Sequence, residues 1–153
     1  DNISKKLKLK REFVEIDNYG NEIQIDPRNL KSSNSFYIKL TLEKLDSSNK
    51  NYLENIALVQ NLPSGWEIEN TRLNNDPLLD KVAKANSTIT YTDIRDDKIM
   101  WFFNLYNKPQ VVYVKINAVT PGNYTLPSAY AEAMYDGSYQ ASSDSFRVNV
   151  LSK

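Results

Sequence analysis

The carboxylates that come closest to a catalytic pair in this sequence are Glu67 and Glu69, which flank Ile68 after a Gly65-Trp66 step. On a β-strand, the i, i+2 spacing places both carboxylates on one face, which is the minimum arrangement for a glycosidase-like pair. Paired glycosidase carboxylates usually face each other across a cleft from different strands, so two acids on one strand favour a solvated face. We therefore predict no enzyme activity from this pair.

Three aspartates, Asp93, Asp96 and Asp97, could supply oxygen ligands to a calcium ion, which takes six to eight of them. The EF-hand spacing, with its glycine and distal glutamate, is missing. Arg95 and Lys98 lie inside the cluster and can neutralise it, which favours a local salt-bridge network. The sequence thus predicts no metal site here and no cofactor.

The composition excludes several classes of chemistry. With no Cys and no His, the chain offers no disulfide, no Cys nucleophile, no His general base and no ordinary zinc site. Lys plus Arg and Asp plus Glu both number 19, so the formal net charge is zero and no nucleic-acid partner is expected. No apolar run approaches the roughly 20 residues that span a bilayer, so no direct membrane insertion is predicted.

The one basic run lies near the start of the chain, where Lys8, Lys10 and Arg11 follow Lys5 and Lys6 and alternate with leucines. This pattern is typical of the solvated face of an edge strand, where lysines prevent unwanted strand pairing.

The aromatic residues allow two interpretations. Exposed aromatic faces stack on sugars, whereas buried ones fill a sandwich core. Trp101 lies in a doubly apolar stretch and is assigned to the core, but Trp66 follows a turn and fits either environment. An envelope or surface Ig-like module that binds sugar or protein through Trp66 and nearby tyrosines is therefore the alternative hypothesis for function.

Period-two alternation dominates the elements that position these side chains, as in Phe36, Ile38, Leu40 and Leu42, and again over residues 112–118 and 146–150. Residues 99–103 are apolar on both faces, which predicts a central strand covered on both sides or touching a neighbouring domain. We predict an all-β antiparallel sandwich that forms a single domain over residues 1–153.

One short helix is predicted within this sandwich. Asp76 can cap it, Pro77 fits the first helical position, and an apolar stripe follows at Leu78, Leu79, Val82 and Ala83. We expect this inserted helix to lie across the sandwich edge.

Four segments, in order, resemble the final macroglobulin-like domain of bacterial α2-macroglobulins, often called MG10. They are residues 62–70 (LPSGWEIEN, similar to the family's LPAGFEIEN), 93–99 (DIRDDKI, similar to RDDRV), 114–124 (VKINAVTPGNY, similar to YRLRAVTPGTF) and 130–136 (YAEAMYD, similar to AEAMYDP). The resemblance covers most of the chain after residue 62 and implies a macroglobulin-like antiparallel sandwich.

The resemblance also implies a function. These family members are large envelope proteins, anchored as lipoproteins facing the periplasm, that trap attacking proteases. A thioester between Cys and Gln in a separate helical domain acylates the protease, and MG10 packs against that domain in the resting state. The chain is thus expected to be a non-catalytic, periplasmic fragment of a larger protein that is anchored to the inner membrane through its N-terminus. Its expected partners are the thioester domain of the same polypeptide and, through the full-length protein, a host or competitor protease.

By residue match, the family's thioester-shielding pair falls on Met134 and Tyr135. A thioester survives in water only if its carbonyl is desolvated, and a methionine beside a tyrosine ring covers it without supplying a nucleophile. The alternative is that the two residues end a strand and pack into this domain's own core. Gly137 stands where the family usually has proline, which is expected to loosen the turn after the pair.

Overall fold

The computed structural model describes residues 2–45, 52–69 and 79–152. Within these ranges the chain forms fourteen strands and one helix. The elements are β1 (Ile3–Lys5), β2 (Leu7–Ile16), β3 (Glu22–Gln24), β4 (Leu30–Lys31), β5 (Ser35–Lys44), β6 (Tyr52–Asn61), β7 (Trp66–Ile68), α1 (Leu79–Asn86), β8 (Tyr91–Ile94), β9 (Lys98–Tyr106), β10 (Gln110–Ala118), β11 (Gly122–Leu126), β12 (Ala129–Ala133), β13 (Asp136–Ser142) and β14 (Phe146–Leu151).

The strands form two main layers. A six-stranded sheet has the order β1-β13-β12-β6-β9-β8, and a five-stranded sheet has the order β3-β2-β5-β10-β7. Every pairing in these two sheets is antiparallel. A third sheet, β11-β14-β4, contains a parallel pair between β14 and β4. The predicted antiparallel all-β sandwich is confirmed, with this short parallel pairing added.

The core lies between the two main sheets, because side chains alternate between the two faces of a strand. Ile38 and Leu40 of β5 and Trp101 and Phe103 of β9 point inward and are almost fully buried. The apolar side chains predicted to point inward from β5, β10 and β14 also belong to this core. No helix within the described ranges is long and apolar enough to cross a membrane.

Two of the family-like segments pack directly on each other. Trp66 of β7 pairs with Ala118 of β10, and the Gly65 carbonyl accepts the backbone N–H of Val119 at 2.9 Å. The Tyr124 ring lies over Gly65, where an added Cβ would stand only 2.4 Å from a ring carbon. A side chain at position 65 would clash with the Tyr124 ring, so the contact between the two segments requires a glycine there.

The basic run does not form a solvated edge throughout. Lys8 and Lys10 are exposed on the part of β2 that precedes its pairing with β3, as predicted, but Arg11 points into the sandwich. Its Nη1 donates to Gln60 Oε1 at 2.9 Å and to the Pro127 carbonyl at 2.7 Å, and its Nη2 donates to the Asp144 carbonyl. The solvated-face prediction was wrong for Arg11, because a guanidinium with several hydrogen-bond acceptors can be buried.

Burial lowers the pKa of Arg11 to about 10, and the nearby Asp144 carboxylate partly opposes this shift. The guanidinium therefore still carries its charge at neutral pH. Since Gln60 is fully buried on the six-stranded sheet and Arg11 belongs to the five-stranded sheet, this hydrogen bond joins the two layers through the interior.

Helix α1 packs on the outer face of the five-stranded sheet and also reaches the edge of β10. Val82 is buried against Tyr37 and Tyr113, which lie on the face of the five-stranded sheet that points away from the core. At the end of the helix, the Asn86 side chain accepts the Tyr113 backbone N–H at 3.2 Å and donates to the Tyr113 carbonyl at 3.3 Å. The edge prediction is therefore correct in part: Asn86 bonds the free edge of β10, while Val82 packs on an outer face that is itself apolar at Tyr37 and Tyr113. The proposed capping residues Asp76 and Pro77, with Leu78, lie outside the described residues.

Candidate interaction site

Met134 and Tyr135 form the two-residue turn between β12 and β13. Ala133 pairs with Asp136 across the turn, and the Met134 backbone N–H donates to the Asn55 carbonyl of β6 at 3.0 Å. The side chains are 44% and 83% exposed, respectively. The pair therefore does not pack into this domain's own core, which was the alternative interpretation of the sequence.

Two irregularities surround this turn. The β12–β13 register shifts after Glu132, and the β6–β9 register shifts between Leu53 and Ile56. At the second shift Asn55 has a φ of 57°, and its N–H donates to Asn104 Oδ1 at 3.1 Å. Bulges of this kind re-aim neighbouring side chains and often lie beside functional sites. Two-residue hairpin turns usually require positive φ angles, and neither Met134 nor Tyr135 adopts one. The two register shifts accompany this unusual turn.

The segment after the turn is held by an aspartate. Asp136 Oδ1 accepts the Ser138 backbone N–H at 3.1 Å and the Ser138 hydroxyl at 2.6 Å. Gly137 does not adopt a left-handed φ, and a Cβ added there would meet no atom within 4 Å. The backbone here therefore does not need a glycine, and local side-chain hydrogen bonds take part in fixing the turn.

Met134 belongs to a larger exposed surface, which we call the outer apolar face. It consists of Tyr130 and Met134 on the β12 side, Met100 and Phe102 of β9, and Tyr91 of β8, and the exposed Glu132 lies between Tyr130 and Met134. Tyr130, Met100 and Phe102 point away from the core, because their neighbours along each strand point inward and are buried. The Tyr91 and Phe102 rings stack with centroids 5.8 Å apart.

Strand β9 was expected to be covered on both faces, and this is only half correct. Ile99, Trp101 and Phe103 are buried in the core, whereas Met100 and Phe102 are partly exposed. Sequence reasoning also missed Tyr130. The signal was available in β12, where small alanines alternate with Tyr130 and with the larger residues that follow, which is the pattern of a strand with a bulky outer face.

The other sequence candidates do not join this surface. Glu69 forms an ion pair with Lys115 at 2.8 Å, and hydrogen bonding to that lysine lowers the pKa of Glu69, so it is an ionised carboxylate and a poor general acid. Glu67 is exposed on the same strand. Arg95 pairs with Asp93 at 3.1 Å, as the salt-bridge prediction required.

Trp66, whose environment the sequence left open, belongs to the core. It is 2% exposed and its ring packs edge-on against Phe36, with centroids 5.1 Å apart. A buried indole cannot offer a face to a sugar, so the aromatic platform suggested by the alternative hypothesis does not exist at this residue.

The sequence profile described as Bacterial Alpha-2-macroglobulin MG10 domain matches residues 7–137. A curated relative, alpha-2-macroglobulin of Rickettsia conorii, is 29% identical over 121 residues, which are 77% of this chain and 6% of the relative. The chain therefore spans a small fraction of the length of this relative.

Three solved structures, of two proteins, have the same fold. Salmonella alpha-2-macroglobulin gives TM-scores of 0.83 as a tyrosine-to-glycine mutant and 0.82 after reaction with methylamine, at 22% identity over 99% of this chain and 10% of that one. Trypsin-activated alpha-2-macroglobulin from Escherichia coli gives 0.80, at 20% identity over 98% of this chain and 11% of that one.

Proposed function

The chain belongs to the family of bacterial alpha-2-macroglobulin MG10 domains, and we propose that it serves its parent protein as a non-catalytic domain that keeps a thioester dry. In this proposal the parent is a periplasmic, membrane-anchored protease inhibitor. The domain packs on the thioester domain of the same polypeptide, and Met134 and Tyr135 cover the reactive carbonyl until a protease triggers the parent.

The observation that carries the proposal is the position of the pair. Met134 and Tyr135 lie at an exposed turn, yet a backbone hydrogen bond to Asn55 and the pairing of Ala133 with Asp136 hold that turn against the sheet. A shield must project from its own domain and still keep a fixed geometry, because a side chain that swings freely admits water.

The side-chain chemistry fits the same role. Methionine is apolar and polarizable, and tyrosine presents a flat aromatic ring. Neither side chain is a strong nucleophile, so both can contact an acyl carbon without attacking it. The outer apolar face next to Met134 supplies additional surface for the neighbouring domain to cover.

The relatives add two supporting facts. The Salmonella protein reacts with methylamine, a small amine nucleophile, and the E. coli protein is activated by trypsin. An electrophile that reacts with amines and a trigger operated by a protease are the two features that the proposal requires of the parent.

The test uses the intact parent with Tyr135→Gly. We expect its thioester to be lost to water or methylamine roughly tenfold faster or more, because the substitution removes a ring from over the electrophile. Release of the free thiol measures this rate. The matched control is Tyr19→Gly, since Tyr19 is a tyrosine that is 91% exposed in the turn between β2 and β3.

Equal lifetimes in the wild type and Tyr135→Gly would contradict shielding by Tyr135. A parent that releases no thiol at all on methylamine treatment would contradict the thioester role entirely, while leaving the family assignment intact.

A further inference from the structure

A groove of about 920 Å³ lies on the outer side of the five-stranded sheet, whereas Met134 and Tyr135 form the turn between two strands of the six-stranded sheet. It is bordered by β3 and β5 on one side and by the end of α1 and the β9–β10 turn on the other. Its volume is within the range of small-ligand and side-chain binding sites.

The groove is mainly apolar, with lining from Val111, Pro109 and Ala85 together with the ring of Tyr113. The Tyr113 hydroxyl donates to Glu22 Oε2 at 2.6 Å, so the polar end of this ring is bonded. An apolar side chain from a ligand can therefore enter without stripping a polar group of its partner.

The charged residues of the lining are three lysines and one glutamate. Lys39 Nζ lies 2.8 Å from Glu22 Oε1, and both side chains are mostly buried, so this pair is neutral as a unit. Lys84 and Lys108 then give the groove its excess positive charge. A carboxylate is the complementary group.

Lys84 and Lys108 belong to two segments that are hydrogen-bonded to each other. Gln110 Nε2 donates to the Ala85 carbonyl at 3.1 Å, and the Thr88 hydroxyl donates to Gln110 Oε1 at 2.7 Å. These bonds tie the end of α1 to the start of β10. Lys84 directly precedes Ala85, and Lys108 lies two residues before Gln110.

We propose that this groove binds an acidic peptide segment of the parent polypeptide. An aromatic or aliphatic side chain of the segment packs on Val111 and the Tyr113 ring, and flanking carboxylates contact Lys84 and Lys108. The concave shape disfavours a flat bilayer. Asn107 and Thr88 line the same groove and carry groups that can hydrogen-bond a peptide backbone.

A segment of the parent is favoured over a separate protein for an energetic reason. Two partly solvated lysines and one small apolar floor support only weak binding, of the order of 0.1–1 mM. Tethering raises the effective concentration of a ligand to the millimolar range, so a segment of the same chain can occupy such a groove. This chain spans 6% of the Rickettsia conorii relative and 11% of the trypsin-activated E. coli structure, which leaves most of a parent of that size to supply the segment. The proposal rests on the proposed function only in requiring a longer parent.

The first test uses the 153-residue chain and a blocked tetrapeptide of alternating glutamate and phenylalanine. We expect amide NMR shifts at Val111 and Tyr113 and roughly tenfold weaker binding after Lys84→Gln with Lys108→Gln. Lys5→Gln with Lys31→Gln is the matched control, because both of these lysines are exposed on other sheets. Amide spectra of each variant establish that it is folded.

Three results would overturn the proposal in this test. They are equal loss of binding in the control, equal binding of a peptide of alternating lysine and phenylalanine, and shifts at Tyr130 and Phe102 in place of Val111 and Tyr113. Binding to vesicles of an anionic phospholipid that is lost with Lys84→Gln and Lys108→Gln would assign the groove to a membrane instead.

The second test places the segment. In the native parent, we expect Lys84 and Lys108 to react several-fold more slowly with an amine-acylating reagent than in the 153-residue chain, as measured by mass spectrometry, while Lys31 reacts equally in both. Equal reactivity of Lys84 and Lys108 in the two proteins would overturn occupation by the parent. This result is independent of the thioester test, because it is measured at Lys84 and Lys108 and requires no thioester in the parent.

Discussion

At the scale of single residues, two glycines, Gly65 and Gly137, have different physical roles. Gly65 lies beneath the Tyr124 ring, whose hydroxyl donates to the Thr120 carbonyl at 2.9 Å and to the Pro121 carbonyl at 3.2 Å. Because the ring is held at its far end, it cannot move aside without losing these bonds. Gly137 has open space around it.

We therefore expect Gly65→Ala to lower the free energy of unfolding by about 1–3 kcal/mol, since it overpacks a fixed contact. Gly137→Ala is the control and is expected to leave stability unchanged or to raise it by up to about 1 kcal/mol. Urea denaturation of the 153-residue chain measures both. If adding Tyr124→Ala to Gly65→Ala gave purely additive losses, the proposed contact would be wrong.

Tyr113 gives a prediction about pH. Burial, and then hydrogen bonding to Glu22, raise the pKa of this phenol above its ordinary value. At pH values between the pKa of the unfolded state and that of the folded state, the folded protein holds the phenol proton more tightly than the unfolded chain does. The resulting stabilisation is complete below about pH 10 and is lost as the pH rises.

The wild type should therefore lose about 1 kcal/mol more stability than Tyr113→Phe between pH 9 and 11, allowing for partial solvent screening. Denaturant midpoints measured at intervals over this range give the difference between the two proteins. Parallel curves for wild type and variant would mean that the phenol titrates normally.

At the scale of elements, the edge of β10 shows how a short helix substitutes for a missing strand. Strand β7 pairs with β10 only from Ile116 to Ala118. Beyond that point the Asn86 side chain bonds both backbone groups of Tyr113, and the backbone N–H of Glu69 donates to the Lys115 carbonyl at 2.9 Å. Side-chain amides can imitate a neighbouring strand because they carry one donor and one acceptor group.

Asn86→Ala should destabilise the chain by about 1–3 kcal/mol and speed hydrogen exchange of the Tyr113 amide, because it leaves two partly buried backbone groups without these bonds. Asn86→Asp, which keeps the acceptor and loses the donor, should give a smaller effect on that amide. Ser87→Ala is the neighbouring control, since its exposed hydroxyl bonds only to the Lys84 carbonyl among the described contacts. If the Tyr113 amide exchanged equally fast in Asn86→Ala and Ser87→Ala, the Asn86 side chain would not be protecting the edge of β10.

At the scale of the whole molecule, both methionines of the sequence, Met100 and Met134, lie on the outer apolar face. If a neighbouring domain covers this face, hydrogen peroxide should oxidise both methionines roughly fivefold more slowly in the native parent than in the 153-residue chain. Mass spectrometry of the sulfoxides measures the two rates. Unprotected methionines in the native parent would exclude docking at this face, whatever the state of the thioester.

The sequence contained much of the fold because alternation reports directly on which side of a strand is buried. Phe36 to Leu42 and the strands near residues 112–118 and 146–150 follow their patterns, and the family resemblance is confirmed by the profile match. The alternation of apolar and polar residues could not show that Arg11 points inward, because a charged side chain at an inward position interrupts that alternation. Its burial becomes understandable only when its hydrogen-bond acceptors elsewhere in the fold are known.

The sequence by itself determined that the domain is an antiparallel sandwich without cysteine or histidine chemistry, and it identified Met134 and Tyr135 as candidate site residues. Only the tertiary structure decided that this pair is an exposed turn, that Trp66 is core and that the helix covers a sheet face. The physical reason is that alternation fixes the facing of a side chain within its own strand. What lies opposite that face depends on contacts between residues distant in sequence, such as Met134 with Asn55 and Asn86 with Tyr113.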